Sequence, residues 1–342
     1  MSERRRNMII IIVIVVLVLI CICAVVGANM LMNTPLAATL QPNTPVVFPT
    51  PGITPGVATA TLSTLPTKAP SPTSGAVANC GVKGSTNILV MGVDSPFSDG
   101  FKGPLAIRLV KVDFSQKTAN VFPFPRDLWI PVKGLEAYGI TQARLGELYL
   151  IARSNAGYSD AAATNLMAQN LYQNFGAASD HYIVGRMSTL AAIIDTVGGL
   201  TINVPVAYDG TPYGMHYFPA GSYHMNGLLA LEYAVAPTAF DQWSGLDRQT
   251  LVLYTLFQRI LSPDMLPQLP TLIPQFLQVV TTDLSVQQLL NLACISQQIS
   301  RDRIVFSGVG PGDVTMGASG VLYPNFDSIR AKVRQNLSPN SS

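Results

Sequence analysis

The chain is poor in charged residues and in the residue types that most catalytic and metal sites use. Only 12% of its 342 residues are Asp, Glu, Lys or Arg, and it has three histidines and four cysteines. An average soluble domain has roughly 25% charged residues. Because 21 basic residues nearly balance 19 acidic ones, the chain lacks the dense basic face that binds phosphate backbones, and we expect no nucleic-acid partner.

The standard catalytic motifs are also missing from the sequence. No His/Cys pair has the spacing of a zinc site, and there is no Walker A, GxGxxG or GxSxG motif. We therefore interpret His181, His216 and His224 as structural residues, which disfavours a Ser-His-Asp hydrolase.

The longest apolar run lies near the N-terminus. Met8–Ala28 comprises 21 residues without a charge, and at about 1.5 Å per residue it spans about 30 Å, the thickness of a bilayer's hydrocarbon core. Arginines precede it (Arg4–Arg6), so the positive-inside rule places residues 1–7 in the cytoplasm and the main domain outside the cell. We predict a single-pass cell-membrane anchor over residues 8–28. The alternative is a cleaved signal peptide, whose apolar region is shorter, about 7–15 residues.

Residues 29–79 have a different composition. Residues 34–79 contain nine prolines, ten threonines and one charged residue, Lys68. Proline at this density is incompatible with helices and central strands. We therefore predict an extended linker that holds the following domain, residues 80–337, away from the membrane. Residues 338–342 form a short tail.

Two cysteines lie beyond the predicted anchor, Cys80 at the start of the folded domain and Cys294 in a late helix. Two cysteines in an extracellular domain favour a disulfide between them. The alternative is a pair of separate buried thiols.

Within residues 80–337, strand and helix patterns alternate. Asn87–Val93 is nearly all apolar, as expected for a strand buried on both faces, and Ala106–Val112 with Thr118–Phe122 is predicted to form a hairpin. Ser159 and Gly176 flank a predicted helix as its N-cap and its stop. The pattern predicts an α/β domain, a three-layer α/β/α sandwich with a mixed central sheet.

Between residues 86 and 260, short motifs follow one another in a distinctive order. They are Asn87–Asp94, Phe124–Asp127, Asp180–Tyr182, Ile194–Leu200, Tyr217–Gly221, His224–Gly227, Leu229–Ala234 and Arg248–Gln249. Each motif is weak alone, but the ordered set resembles the LytR-CpsA-Psr family. The family plan of membrane anchor, linker and external domain also fits the chain.

The resemblance implies a phosphotransferase that moves a glycan polymer from a polyprenyl-pyrophosphate carrier to peptidoglycan, with a long apolar pocket for the prenyl chain. It also implies Mg²⁺ as a cofactor, because arginines and a divalent cation neutralise a pyrophosphate. In this chain Asp94 matches a metal carboxylate of the family. The residues that match its pyrophosphate site are Arg126, Arg144, Arg248 and Gln249, with Asp127 orienting Arg126.

The sequence departs from the family pattern at positions where charges are expected. Leu105 stands in place of a second metal carboxylate, and Val235, Pro237 and Gly245 stand in place of arginines. Losing one such transition-state charge typically lowers a rate about 10²–10³-fold.

These losses lead us to expect a cell-envelope protein that binds polyprenyl-(pyro)phosphate-linked glycan or cell-wall glycan with weak or no catalysis. It would act alone or beside an active paralogue. The alternative is an active phosphotransferase that attaches glycopolymers to peptidoglycan.

Overall fold

The structure is a computed structural model of the chain. It describes residues 32–40, 80, 82–93, 103–236, 242–260, 262, 264–265, 268 and 280–338. The predicted anchor over residues 8–28 lies outside these residues, as do Asp94 and Pro237. Within the described ranges, no helix is both long enough and apolar enough to cross a membrane.

A mixed sheet forms the centre of the domain. The strands are β1 (Ser85–Val93), β2 (Pro104–Asp113), β3 (Thr118–Pro123), β4 (Trp129–Pro131), β5 (Gln142–Arg144), β6 (His181–Arg186), β7 (Leu200–Val204), β8 (Tyr208–Asp209), β9 (Tyr217–Phe218), β10 (Gly221–Met225), β11 (Val280–Thr282), β12 (Ile304–Phe306), β13 (Val314–Met316) and β14 (Leu322–Pro324). The central sheet has six strands in the order β11-β6-β1-β2-β3-β12. β2 is antiparallel to β1 and β3, whereas β6 is parallel to β1. This arrangement confirms the predicted mixed α/β class and the predicted β2–β3 hairpin.

Helices cover both faces of this sheet. They are α1 (Leu145–Ser154), α2 (Asp160–Phe175), α3 (Met187–Thr196), α4 (Gly227–Val235), α5 (Gln242–Ile260), α6 (Val286–Ser296) and α7 (Phe326–Leu337). The ends of α2 are as predicted. The Ser159 Oγ accepts a hydrogen bond from the Ala162 N–H at 3.2 Å, and Gly176 ends the helix with φ +72°.

Alternate residues of the central strands face two different helix layers, because successive side chains of a strand point to opposite sides. Leu89 of β1 and Leu109 of β2 belong to the main buried core, together with apolar residues of α1, α2 and α7. Val90 and Val110 face the other side, where α5 lies over the sheet. The main core fills the first side, and the candidate site described below lies on the second.

A disulfide ties the start of the domain to α6. Cys80 and Cys294 are bonded, which confirms the predicted pair. Val112, Phe114 and Ile295 pack with Cys80 in a small buried cluster. The covalent link therefore holds α6 against the end of β2.

Part of the predicted linker contacts the folded domain. Among residues 32–40, the Ala38 carbonyl accepts a hydrogen bond from the Tyr182 hydroxyl at 3.0 Å. The Leu40 N–H donates to the Asp283 carboxylate at 3.4 Å. Leu40 also packs on the main core. At residues 37–40 the segment is thus docked beside β6.

Candidate functional site

Two apolar cavities lie side by side between the central sheet and α5. The first cavity has a volume of about 270 Å³ and lies near the ends of β1 and β6, under α3 and α5. The second cavity has a volume of about 300 Å³ and lies between β2, β3, α5 and α6. Val90, Arg108 and Leu253 line both cavities, so the two spaces meet at these residues.

Small residues on the strands leave room for the first cavity. Gly92, Ala106 and Gly185 are neighbours across β1, β2 and β6 and line its floor. A Cβ atom at Gly92 would lie 2.6 Å from the Met187 Sδ. A larger residue there would displace Met187, another lining residue. The sequence of these strands therefore determines the space available to a ligand.

Arg108 is the buried charge between the two cavities. It is 3% exposed, and its Nη2 donates to the Gln249 Oε1 at 3.2 Å, with longer contacts to α5 at 3.4 and 3.5 Å. Burial lowers the pKa of Arg108 to about 10, so the guanidinium stays charged at neutral pH.

Gln249 links the sheet to α5. Its Nε2 donates to the Leu105 carbonyl at 3.3 Å, while its Oε1 accepts from Arg108. It also lines the first cavity. The structure thus places this predicted pyrophosphate residue at the wall of the first cavity, beside Arg108.

Arg248 points away from Gln249 into the protein interior. It is 6% exposed, and its Nε donates to the Tyr233 carbonyl at 2.7 Å while Nη2 donates to the Ala236 carbonyl. Its guanidinium carbon lies 4.2 Å from the Tyr208 ring centre. These contacts attach the C-terminal end of α4 to α5, because the last carbonyls of a helix have no partner within the helix. A pyrophosphate contact of Arg248 stays a prediction.

A half-buried cluster of charges follows β3, formed by Arg126, Asp127, Arg144 and Glu147. The Arg144 Nε lies 3.9 Å from the Asp127 Oδ1, and its Nη1 lies 4.0 Å from the Glu147 Oε1. The Arg144 Nη2 donates to the Ser319 carbonyl at 2.9 Å. We call these four residues the edge cluster, since the structure brings the predicted residues Arg126, Asp127 and Arg144 together at the Leu105 end of β2.

Glycine 146 makes this arrangement possible. The Gly146 N–H donates to the Arg126 carbonyl at 2.8 Å. A Cβ at Gly146 would lie only 3.0 Å from the Arg126 Cβ and 3.4 Å from the Pro104 carbonyl oxygen. The start of α1 can therefore lie directly against the segment that carries Arg126 and against the beginning of β2.

Comparison with known proteins identifies the fold and the family. A model of the LytR_cpsA_psr family matches residues 57–335. The chain belongs to the LytR-CpsA-Psr family. Family members are generally associated with the cell envelope, and the match supports a role connected with cell-wall glycopolymers. Comparison with curated proteins finds no match.

Solved structures of similar fold belong to the same family. Bacillus subtilis TagV aligns with a TM-score of 0.60 and 21% identity, over 75% of this chain and 98% of TagV. Protein gbs0355 of Streptococcus agalactiae aligns with a TM-score of 0.59 and 16% identity, over 76% of this chain and 90% of that protein. B. subtilis TagT aligns with a TM-score of 0.54 and 16% identity, over 75% of this chain and 91% of TagT.

This LytR-CpsA-Psr protein has apolar surroundings at two of the positions where the sequence lacks expected charges. Leu105 and Val235 both pack against a buried cluster of Met187, Ala191 and Leu231. The third position, Gly245, lies in the first turn of α5, and a Cβ there would lie 3.9 Å from the Arg248 Nη2.

The predicted Mg²⁺ site is not completed by the described carboxylates. Leu105 offers no ligand oxygen, and Asp94 lies outside the described residues. In the described ranges, no three His, Cys, Asp or Glu residues are grouped as they would be around a metal ion. Magnesium therefore stays a prediction from the family resemblance, and no step below is assigned to it.

Sequence reasoning missed Arg108 and Arg186. Arg186 is the last residue of β6, is exposed, and lines the first cavity. Arg108 lies in a strand that is predicted from its apolar residues, and no role was assigned to its charge. A charged residue in the middle of a strand predicted to be buried is itself a signal, since buried arginines are rare unless they are paired.

Replacing Asp127 by Asn is expected to raise the free energy of unfolding at pH 7 by less than about 1 kcal/mol. Burial raises the pKa of Asp127, and nearby Arg126 and Arg144 only partly oppose this effect. The folded protein therefore binds this proton more tightly than the unfolded chain, so the wild type gains stability as pH falls through the carboxyl's titration. Urea unfolding of both proteins between about pH 4 and 7 should show that the wild type gains more stability than Asp127→Asn as the pH falls.

The matched control is Asp247→Asn, because Asp247 is an exposed aspartate on α5. It should leave the free energy of unfolding at pH 7 unchanged. A clear loss of stability in Asp127→Asn at pH 7 would show that the ion pair with Arg144 outweighs the cost of burying the carboxylate.

Proposed function

We propose that this protein binds polyprenyl-(pyro)phosphate-linked glycan at the outer face of the cell membrane and transfers it weakly or not at all. The prenyl chain enters the apolar cavities under α5, and the edge cluster faces the charged head group. The chain is anchored by one membrane span over residues 8–28, with its N-terminus in the cytoplasm and its main domain outside.

The two apolar cavities between the sheet and α5 carry this proposal. Transfer of apolar surface from water into such a space contributes about 25 cal/mol per Å². Their walls are almost entirely aliphatic and aromatic side chains. A hydrocarbon chain is the ligand that such walls favour, since it leaves no polar group without a hydrogen-bond partner.

The structural relatives support a glycan as the group attached to the head of the prenyl carrier. B. subtilis TagT has been solved bound to LI-WTA and to LIIa-WTA, which are wall teichoic acid glycopolymers. A cell-wall glycan partner is consistent with the family of this chain.

Weak transfer follows from the charges that are missing around the cavities. The apolar cluster at Leu105 and Val235 would disfavour a developing negative charge, which needs donors and cations aimed at it. The edge cluster still supplies Arg126 and Arg144 for binding an anion. A protein of this kind can present a bound carrier to an active paralogue, which we include as a proposed partner.

Replacing Leu253 by Trp should reduce binding of a prenyl-diphosphate-linked glycan at least about tenfold, because the indole would occupy space that both cavities share. The measurement is equilibrium binding of a fluorescent prenyl-diphosphate disaccharide to the full-length protein in nanodiscs. Protein-free nanodiscs give the background.

The matched control is Leu228→Trp, since Leu228 is 54% exposed on α4. This variant should bind the probe as the wild type does. Equal binding by wild type and Leu253→Trp would show that the prenyl chain binds elsewhere and would refute its placement in the cavities. A wild type that binds no probe would refute the proposed function itself.

A further inference from the structure

The strongest unexplained feature of the cavities is the charge of Arg108. Of its three guanidinium nitrogens, only Nη2 has hydrogen-bond partners among the residues that the structure describes, and all of these partners lie on α5. Nε and Nη1 are buried and have no partner among the described residues. No carboxylate of the described part of the chain forms an ion pair with it.

An unpaired buried cation is costly for the folded protein. Buried charges are normally paired or fully hydrogen-bonded, since the interior does not replace the lost water. The open Nε–H and Nη1–H lie on different edges of the planar guanidinium, and each can donate a charge-assisted hydrogen bond to one oxygen of a carboxylate or phosphate. The described part of the chain thus holds a prepared anion-binding group beside which it places no anion of its own.

The surroundings of Arg108 restrict what that anion can be attached to. Leu253 and Val90 lie beside it in both cavities, and Val110, Phe257 and Ile295 line the second cavity beyond it. Sugar hydroxyls in this space would lose water without gaining hydrogen bonds. An apolar chain suits these walls, and a single anionic head suits Arg108.

We propose that Arg108 binds the anionic head group of a single-chain amphiphile that carries no sugar, with its hydrocarbon chain in the second cavity. The head is a carboxylate or a phosphate monoester. This inference uses the same cavities as the proposed function, but the ligand and the head-group position differ, because the glycan-linked carrier is assigned to the edge cluster.

The experiment compares each anionic amphiphile with its uncharged alcohol. Palmitate is paired with hexadecanol, and farnesyl phosphate with farnesol, and binding to the delipidated full-length protein in amphipol is measured by calorimetry. Because a hydrogen bond to a charged group contributes more than an ordinary one, the wild type should bind at least one anion about tenfold more tightly than its alcohol. The pair that shows this preference identifies the head group.

The test variant is Arg108→Met, which keeps the length of the side chain and removes its charge. It should bind the anion and the alcohol with affinities equal within about twofold. Arg108→Gln provides a second variant with a polar but neutral side chain and should lose the preference in the same way. The control is Arg144→Met, which removes a guanidinium from the edge cluster and should keep the preference.

Three results would overturn the inference. The first is a wild type that binds neither anion more tightly than its alcohol. The second is a preference that survives in both Arg108 variants. The third is a preference lost in Arg144→Met but kept in Arg108→Met, which places the anionic head at the edge cluster and leaves the proposed function intact.

Discussion

With a polyprenyl-diphosphate-linked glycan and Mg²⁺, the wild-type protein is expected to transfer glycan more than about 10³-fold more slowly than a family enzyme with a complete set of charges. Phosphoryl transfer depends mainly on positioning and on neutralising charge as it develops. The family resemblance predicts charged residues at the four positions that hold Leu105, Val235, Pro237 and Gly245 in this chain. Single losses of this kind typically cost about 10²–10³-fold, and the four together exceed the effect of one even when they are not additive.

The assay compares the wild type with Arg126→Ala and with the restored variant Leu105→Asp/Val235→Arg/Pro237→Arg/Gly245→Arg. Full-length proteins in nanodiscs are supplied with carrier and peptidoglycan acceptor, and glycan transfer and pyrophosphate hydrolysis are both measured. B. subtilis TagT provides a family reference measured side by side. Family-like turnover by the wild type that disappears in Arg126→Ala would show that the protein is an active phosphotransferase.

The structure indicates which substitutions of the restored variant the fold will tolerate. Among the described residues, a Cβ at Gly245 would meet only the Arg248 Nη2, at an ordinary contact distance of 3.9 Å, so a side chain at this position should be tolerated. Leu105→Asp is less favourable, because it puts a carboxylate beside the buried cluster of Met187, Ala191 and Leu231. The single variant Gly245→Arg is therefore tested beside the quadruple one. A rise in turnover with Gly245→Arg alone would show that a charge missing at this position limits transfer.

Removing the Cys80–Cys294 disulfide is expected to lower the free energy of unfolding by about 4–5 kcal/mol. The two cysteines are separated by 214 residues, and cross-links that close long loops restrict the unfolded chain most in the chain-entropy model. The double variant Cys80→Ser/Cys294→Ser should therefore unfold roughly 10 °C below the wild type.

The control for the disulfide is dithiothreitol. Reduction should lower the unfolding temperature of the wild type and leave that of the double serine variant unchanged, since Cys21 and Cys23 lie in the predicted anchor. A wild type whose unfolding temperature is insensitive to reduction, with both external thiols open to alkylation, would contradict the disulfide. Loss of the link should also loosen α6, which lines the second cavity through Leu292 and Ile295.

Local sequence patterns were sufficient to predict much of the fold. β1 was predicted as a strand from Asn87–Val93 because a nearly continuous apolar run favours a strand buried on both faces. The ends of α2 were predicted from Ser159 and Gly176, because a cap and a left-handed stop are made by neighbouring residues. Helices and strands of this kind are determined by contacts within a few residues, which the sequence displays directly.

The order of the motifs was sufficient to predict the family, and the presence of two cysteines beyond the predicted anchor was sufficient to predict the disulfide. The candidate site was predicted only in part. Arg126, Asp127 and Arg144 do come together, because β4, β5 and the start of α1 bring the segments around residues 126 and 144 side by side. Arg248 and Gln249 are adjacent in sequence, yet α5 directs them to different partners, the Tyr233 carbonyl in the interior and the Leu105 carbonyl on β2.

By itself, the sequence determined the class of the domain, its family and its paired cysteines, and it predicted the places where family charges are missing. Only the tertiary structure decided where the remaining charges act. Arg108 shares β2 with two other charged residues, Lys111 and Asp113. Its importance depends on α5 and α6, which lie more than a hundred residues further along the chain and close the cavities around it. A cavity is the space left between elements that are distant in sequence, so no local pattern encodes it. Whether a buried charge has hydrogen-bond partners is likewise decided only when those elements pack together.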